Sequence, residues 1–279
     1  MKTSIIKLFF VFAISTLFFS CDKENTFTAT DPLSGLVKLK EGYAIGAATK
    51  VELWGKKNFF VGYNNVVVVL YDSLNPTKKI TDAHIHFEPL MTMKMGMMTK
   101  MHACPVENPA ETAVSDVFPG SISFIMGSTG ATGYWSLGVS VHNHVTDKEG
   151  EVNFDITVDN PATSSLSVFT SQTADSSKYV LAFVQPTTPK VGINDIEFTL
   201  NRMETMMSFP AHDSCTFEIT PTMPSMGHGS PNNVNPVSIG NGHYKGKVNF
   251  TMTGEWKIDV LVKKNGTTIS KNAYFNVIL

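Results

Sequence analysis

Cationic residues of one kind are almost missing from this chain: among 279 residues the only arginine is Arg202, and formal net charge is -2. Nucleic-acid binding needs clustered cations to neutralise phosphates, so the composition excludes that class of partner. Cysteine is scarce too, at 3 residues, of which Cys104 and Cys215 are the only two after Cys21. A disulfide-stapled scaffold is therefore excluded, and one inter-domain bridge or two free thiols remain open. After the first twenty residues no apolar run approaches the ~20 residues that span a bilayer. No stretch of helical length carries 3.6-residue periodicity. The Gly-x-Ser-x-Gly elbow, His-Glu-x-x-His and a phosphate-cradling glycine loop are all lacking. Asp82-x-His84-x-His86 superficially matches a barrel amidohydrolase metal motif, but the alternating helices of that fold are not there. The expectation is a binding protein, not an enzyme.

What is present begins with an address. Lys2 and Lys7 precede a largely apolar run at 8–19, too short for an ordinary membrane helix. The run ends in Leu17-Phe18-Phe19-Ser20-Cys21 and gives way at once to Asp22-Lys23-Glu24-Asn25. A small residue before cysteine resembles the lipobox of bacterial lipoproteins, with Phe18 standing where the usual pattern has Leu. The resemblance implies a signal peptide over 1–20, lipidation at Cys21, and a globular part outside the cytoplasm. It would be held to a membrane of the bacterial cell envelope, with the outer membrane expected. Residues 21–35, polar and holding Asp31-Pro32 and Gly35, read as a flexible tether.

The remainder reads as all-β. Short β-branched or aromatic runs at 66–71, 121–126, 135–142, 152–158, 179–184 and 257–262 are separated by Gly, Pro, Asn and Asp. Landmarks recur in the same order. Gly62-Tyr63-Asn64-Asn65 answers Gly192-Ile193-Asn194-Asp195, and 81–86 answers 212–217. Met101-His102-Ala103-Cys104-Pro105 answers the segment 226–231, and Gly133-Tyr134-Trp135 answers Gly254-Glu255-Trp256. Two tandem immunoglobulin-like β-sandwich domains are expected, over 36–160 and 161–279, with Trp135 and Trp256 plugging corresponding cores.

The chemical signal is sulfur beside imidazole. Residues 91–101 (MTMKMGMMTKM) hold six Met in eleven positions, followed by His102 and Cys104. A core strand would not carry Lys94 and Lys100, so this run is expected at a surface. If it is extended, Met91, Met93, Met95 and Met97 share one face. Thioethers are soft and suit Cu(I), and they bind without releasing a proton. His84, His86, Met95, Met97, Met98, Met101, His102 and Cys104 are the candidate ligands of the first domain, joined if the loop folds back over the His84/His86 strand. Met223, Met226 and His228, in a Pro- and Gly-rich loop, are those of the second. His142 and His144 repeat the His-x-His spacing. Met126, Met203, Met206, Met207 and Met252 read as core filling.

The run Met223-Pro224-Ser225-Met226-Gly227-His228, with Gly240-Asn241-Gly242-His243-Tyr244 and Gly254-Glu255-Trp256, resembles the YtkA-like domain family. The FixH proteins associated with cytochrome oxidase assembly are similar. The resemblance covers about the last ninety residues well and the first domain more loosely, and implies an exported β-sandwich with a copper connection. Two functions follow as expectations. One is a lipid-anchored copper-binding protein that buffers or transfers Cu(I), with a copper-handling protein as partner and tighter binding in the first domain. The other is an envelope interaction or structural lipoprotein that uses the Met-rich loop as a hydrophobic partner surface.

Overall fold

A computed structural model describes residues 31–174 and 176–279. The signal peptide, Cys21 and most of the expected tether lie outside the described residues. Every regular element among the described residues is a strand, and the strands form four antiparallel sheets.

The first half builds a sandwich from two of them. One sheet runs β1 (Val37–Ala44), β2 (Thr49–Gly55), β3 (Gly62–Asp72), β8 (Phe118–Phe124), β7 (Val106–Glu107), with β4 (Asn75–Ile80) also on β3. The facing sheet runs β10 (Lys148–Ile156), β9 (Gly133–Asn143), β5 (Ala83–Met95), β6 (Met98–His102). Period-two alternation makes the core. Along β5, Ala83, Ile85, Phe87, Pro89 and Met91 are buried, while His84, His86 and Glu88 point out. Val66, Val68, Leu70, Phe118, Ile122 and Phe124 meet them from the other sheet.

The second half repeats the plan. β11 (Leu166–Thr170), β12 (Lys178–Gln185), β13 (Gly192–Met203), β17 (His243–Phe250) and β16 (Val234–Gly240) form one sheet. β15 (His228–Gly229), β14 (Cys215–Met223), β18 (Glu255–Lys264) and β19 (Thr267–Ile278) form the other. Trp135 and Trp256 are both buried. The glycine–asparagine landmarks also do the same work twice. Asn64 Nδ2 donates to the Phe60 and Gly62 carbonyls while its Oδ1 accepts the Phe60 N–H. Asn194 makes the same three bonds with Lys190 and Gly192.

Residues 32–279 form one compact unit, so the two sandwiches are packed together. Leu166, Val180, Ala182 and Phe209 of the second half pack on Val61, Tyr63, Ala103 and Ile125 of the first. Beside this apolar seam sits a polar clasp. His243 Nδ1 lies 2.7 Å from Glu197 Oε1, its Nε2 lies 3.0 Å from Glu107 Oε1, and Tyr63 Oη donates to the other Glu107 oxygen at 3.0 Å. A ring that donates from both nitrogens is the charged imidazolium. The hydrogen bond that His243 donates to Glu107 raises the His243 pKa against burial, with Glu197 adding to it. Burial alone would raise Glu107, but the hydrogen bond and charge of His243 overturn that and leave its carboxyl lowered.

Candidate functional site

β5 and β6 form a hairpin in which Met91 faces His102, Thr92 faces Met101, Met93 faces Lys100 and Met95 faces Met98. Directly opposed residues share a face, so the inward face carries Met91, Met93, Met95, Met98, Lys100 and His102. Gly96, at φ +63°, and Met97 make the turn. Met91 also faces Trp135 of β9, which places His102, Met91 and Trp135 in one row across three strands. The imidazole and indole rings meet edge to face at 5.4 Å.

His102 is 3% exposed, and its Nδ1 lies 2.8 Å from the Ala103 carbonyl oxygen. A carbonyl only accepts, so Nδ1 carries the proton, and in the neutral ring Nε2 is a bare lone pair. That Nε2 lies 3.2 Å from the sulfur of Met126, which has no proton to give. A pair this close can share a proton on Nε2 or hold a soft cation. Trp135 positions the second donor: its Nε1–H donates to the Met126 carbonyl at 3.0 Å.

The second half repeats the histidine, tryptophan and opposed methionine of this row, without the sulfur contact at the imidazole. Met223 is buried and faces His228, whose ring meets Trp256 edge to face at 5.7 Å. His228 Nδ1 lies 2.9 Å from the Gly229 carbonyl, so its tautomer is fixed in the same way. His228 Nε2 is buried and has no hydrogen-bond partner among the described residues. Trp256 Nε1–H donates to the Met252 carbonyl at 3.1 Å, as Trp135 does to Met126. A glycine makes room for the buried methionine in both copies. A Cβ on Gly133 would stand 2.9 Å from the Met91 methyl, and one on Gly254 would stand 3.0 Å from that of Met223.

The expected ligand set of the first domain is not one site. His84 and His86 point outward from β5, whereas Met91 and His102 point inward, and a rise of about 3.3 Å per residue separates them further along the strand. His84 pairs with Glu111 at 3.3 Å and His86 with Asn108 at 2.6 Å. His142 and His144 are on Asp147 and Asp82 instead. Met101 shares the opposite face of the hairpin with Thr92, so it is turned from His102. Met95, Met97 and Met98 are exposed at the tip, with Met97 wholly so. The four alternating methionines are also not one extended row, because the chain reverses before Met97. Cys104 is packed in the core, and burial pushes its thiol well above the ordinary range, which disfavours the thiolate a metal needs. Cys104 and Cys215 are both free, and burial pushes Cys215 up to about 11. In the second domain Met226 is exposed in the turn, while Met223 and His228 adjoin.

Among the described residues no three His, Cys, Asp or Glu side chains are grouped to hold a metal ion, so the candidate centres are mixed imidazole and thioether. Sequence reasoning read Met126 as core filling, yet its sulfur is the one beside His102. One signal marks Met91: Pro89-Leu90-Met91 and Pro221-Thr222-Met223 are the same Pro-x-Met at the same edge of the same strand.

A YtkA-like family model matches residues 173–261. The match takes in Met223, His228, Met252 and Trp256; it is a single copy, and the first half lies outside it. No curated protein matches the chain. Among solved structures, the Escherichia coli adhesin FdeC is similar at 14% identity and a TM-score of 0.25, over 85% of this chain and 66% of that one. The chain thus spans about two thirds of the adhesin's length. Domains 5–6 of the S-layer protein SbsC are similar at 12% identity and a TM-score of 0.29, over 87% of this chain and 98% of that one. A titin immunoglobulin tandem is similar at 9% identity and a TM-score of 0.17, over 80% of this chain and 88% of that one.

Proposed function

We propose that this protein is an exported, lipid-anchored Cu(I)-binding protein of the bacterial cell envelope, with one soft centre in each sandwich. The carrying observation is the 3.2 Å approach of His102 Nε2 to the Met126 sulfur, with the other ring nitrogen committed to a carbonyl. A neutral imidazole and uncharged thioethers bring no negative charge into the core, which favours a monovalent soft ion over a divalent hard one. Met126 and Met91 would complete the first centre with His102, and Met223, which faces His228, would supply the thioether of the second. The chain's role in this reading is binding and hand-over, with a copper-handling protein as partner and Cys21 as the anchor. The YtkA-like match supports the reading for the second half.

One observation favours a partner-surface role instead: the apolar side chains of Met95, Met97 and Met98 are displayed at the hairpin tip. Titration separates the two readings. The full chain in detergent, kept reduced and titrated with Cu(I) against a chromogenic chelator, is expected to take two equivalents. Met126→Leu keeps bulk while removing sulfur, and should weaken the first centre by about tenfold or more while changing stability by under about 1.5 kcal/mol. Full Cu(I) affinity in that variant, or none in the parent chain, overturns the copper reading.

A further inference from the structure

We infer that the β5–β6 hairpin is a loading strip that passes Cu(I) between its exposed tip and the buried first centre, an inference that rests on the copper reading above. The inward face of the hairpin is a file of thioethers with graded exposure. Met98 is 62% exposed and Met95 opposite it 52%; Met93 is half-buried against the core, and Met91 is fully buried beside His102. Directly opposed side chains stand about 4.5–5.5 Å apart at Cβ, and same-face neighbours on one strand about 7 Å apart. Three rotatable bonds let adjacent methionine sulfurs meet across those gaps. A cation held by the tip pair can therefore gain a bond to the next sulfur before it loses the last. Copper stays Cu(I) at every step, one thioether bond forms as another breaks, and no proton moves.

The other features of the hairpin agree with passage. Lys100 opposes Met93 on this face, but it is exposed, and its long stem lets the ammonium reach water. Lys94, on the other face, is held over the Tyr134 ring at 5.5 Å. The second centre has no such strip: its turn of Pro224, Ser225, Met226 and Gly227 joins Met223 to His228 directly. Each hop along the strip is intramolecular, so it proceeds at high effective concentration and replaces a rare direct encounter with a buried pair.

The test is kinetic. Loading from a Cu(I)–chelator complex is followed by stopped flow in full-length chain carrying His228→Gln, so that only the first centre reports. Adding Met95→Leu and Met98→Leu should slow both loading and unloading by about tenfold or more, with equilibrium affinity unchanged within a factor of about three. Unchanged rates overturn the strip. A weakened equilibrium affinity carried by faster unloading with loading unchanged overturns it as well, because the tip sulfurs would then be ligands that hold the ion and not a path to the centre. Absence of Cu(I) binding in the unmodified chain sinks the underlying copper reading instead. As a control on folding, the same double substitution in a chain with an intact His228 should leave loading of the second centre untouched.

Discussion

Ten residues separate the buried Met91 from His102 in the first half, and four separate Met223 from His228 in the second. Much around those two spans is shared: Pro two residues before the methionine, glycine under its methyl, tryptophan against the imidazole, and a ring nitrogen fixed on the next carbonyl; the sulfur at Nε2 is found at His102 and not at His228. The difference teaches where the repeat tolerates change. A hairpin tip is solvent-exposed and lengthens at little cost in closure entropy, while the row at its base is packed on all sides. The six extra residues of the first hairpin are consequently free to carry chemistry that the fold does not require.

The sharpest way to break the equivalence of the halves is to remove each tryptophan. Trp135→Ala and Trp256→Ala should each cost roughly 3–5 kcal/mol by denaturant unfolding. A cost near zero for either would mean that the two rows are not the same structural unit. Next come the imidazoles. His102→Gln and His228→Gln should each remove one Cu(I) equivalent, lowering affinity at that centre by more than the ten- to hundred-fold typical of outer-sphere changes. Loss of both equivalents from one substitution would merge the centres into one.

The glycines sharpen the comparison. Gly254 sits at φ +128°, where a side chain is strained, whereas Gly133 does not have a positive φ. Gly254→Ala should cost about 1–3 kcal/mol from the backbone alone. Gly133→Ala should be costly for a different reason, since its Cβ would stand 2.3 Å from Thr129 Oγ1 and 2.9 Å from the Met91 methyl, and thermal unfolding of the pair compares steric with backbone strain.

The smallest effect belongs to the clasp between halves. The raised His243 pKa contributes stability that is full below its unfolded value near 6.5 and lost as pH rises through the folded value. The lowered Glu107 pKa contributes stability present above about pH 4.3 and lost as pH falls through the folded value. The clasp is therefore firmest between about pH 4.5 and 6.5. Melting temperature should decline modestly from pH 6 to 9 in the parent chain, and the decline should flatten in His243→Gln.

The fold was legible because strand periodicity and the glycine–tryptophan landmarks are local signals. Asn64 and Asn194, or Trp135 and Trp256, announce themselves by type and order. The site was legible only in part. Methionine abundance drew the reading to 91–101, yet abundance marks exposure here, and the sulfur beside His102 comes from Met126, an isolated residue with no local pattern. His84 and His86 looked like ligands by spacing, but parity along β5 turns them away from His102. Only the register of β5 with β6 and β9 decides which thioethers face which imidazole, and register is a long-range property.

The prolines have a consequence beyond marking the repeat. β6 and β15 cover only the ends of β5 and β14, which leaves lengths of open strand border in each sandwich. There, Pro89 and Pro221 offer no N–H, and the N–H groups of Phe87 and Ile219 are taken by the side chains of Asn108 and Asn235 at 2.9 and 3.0 Å. A foreign strand docking along either border meets missing donors and occupied ones. Each asparagine is itself followed by proline, Pro109 or Pro236, so the blocking segments cannot readily extend the sheet themselves. Lateral self-association is thus resisted at both borders by the same four-residue device.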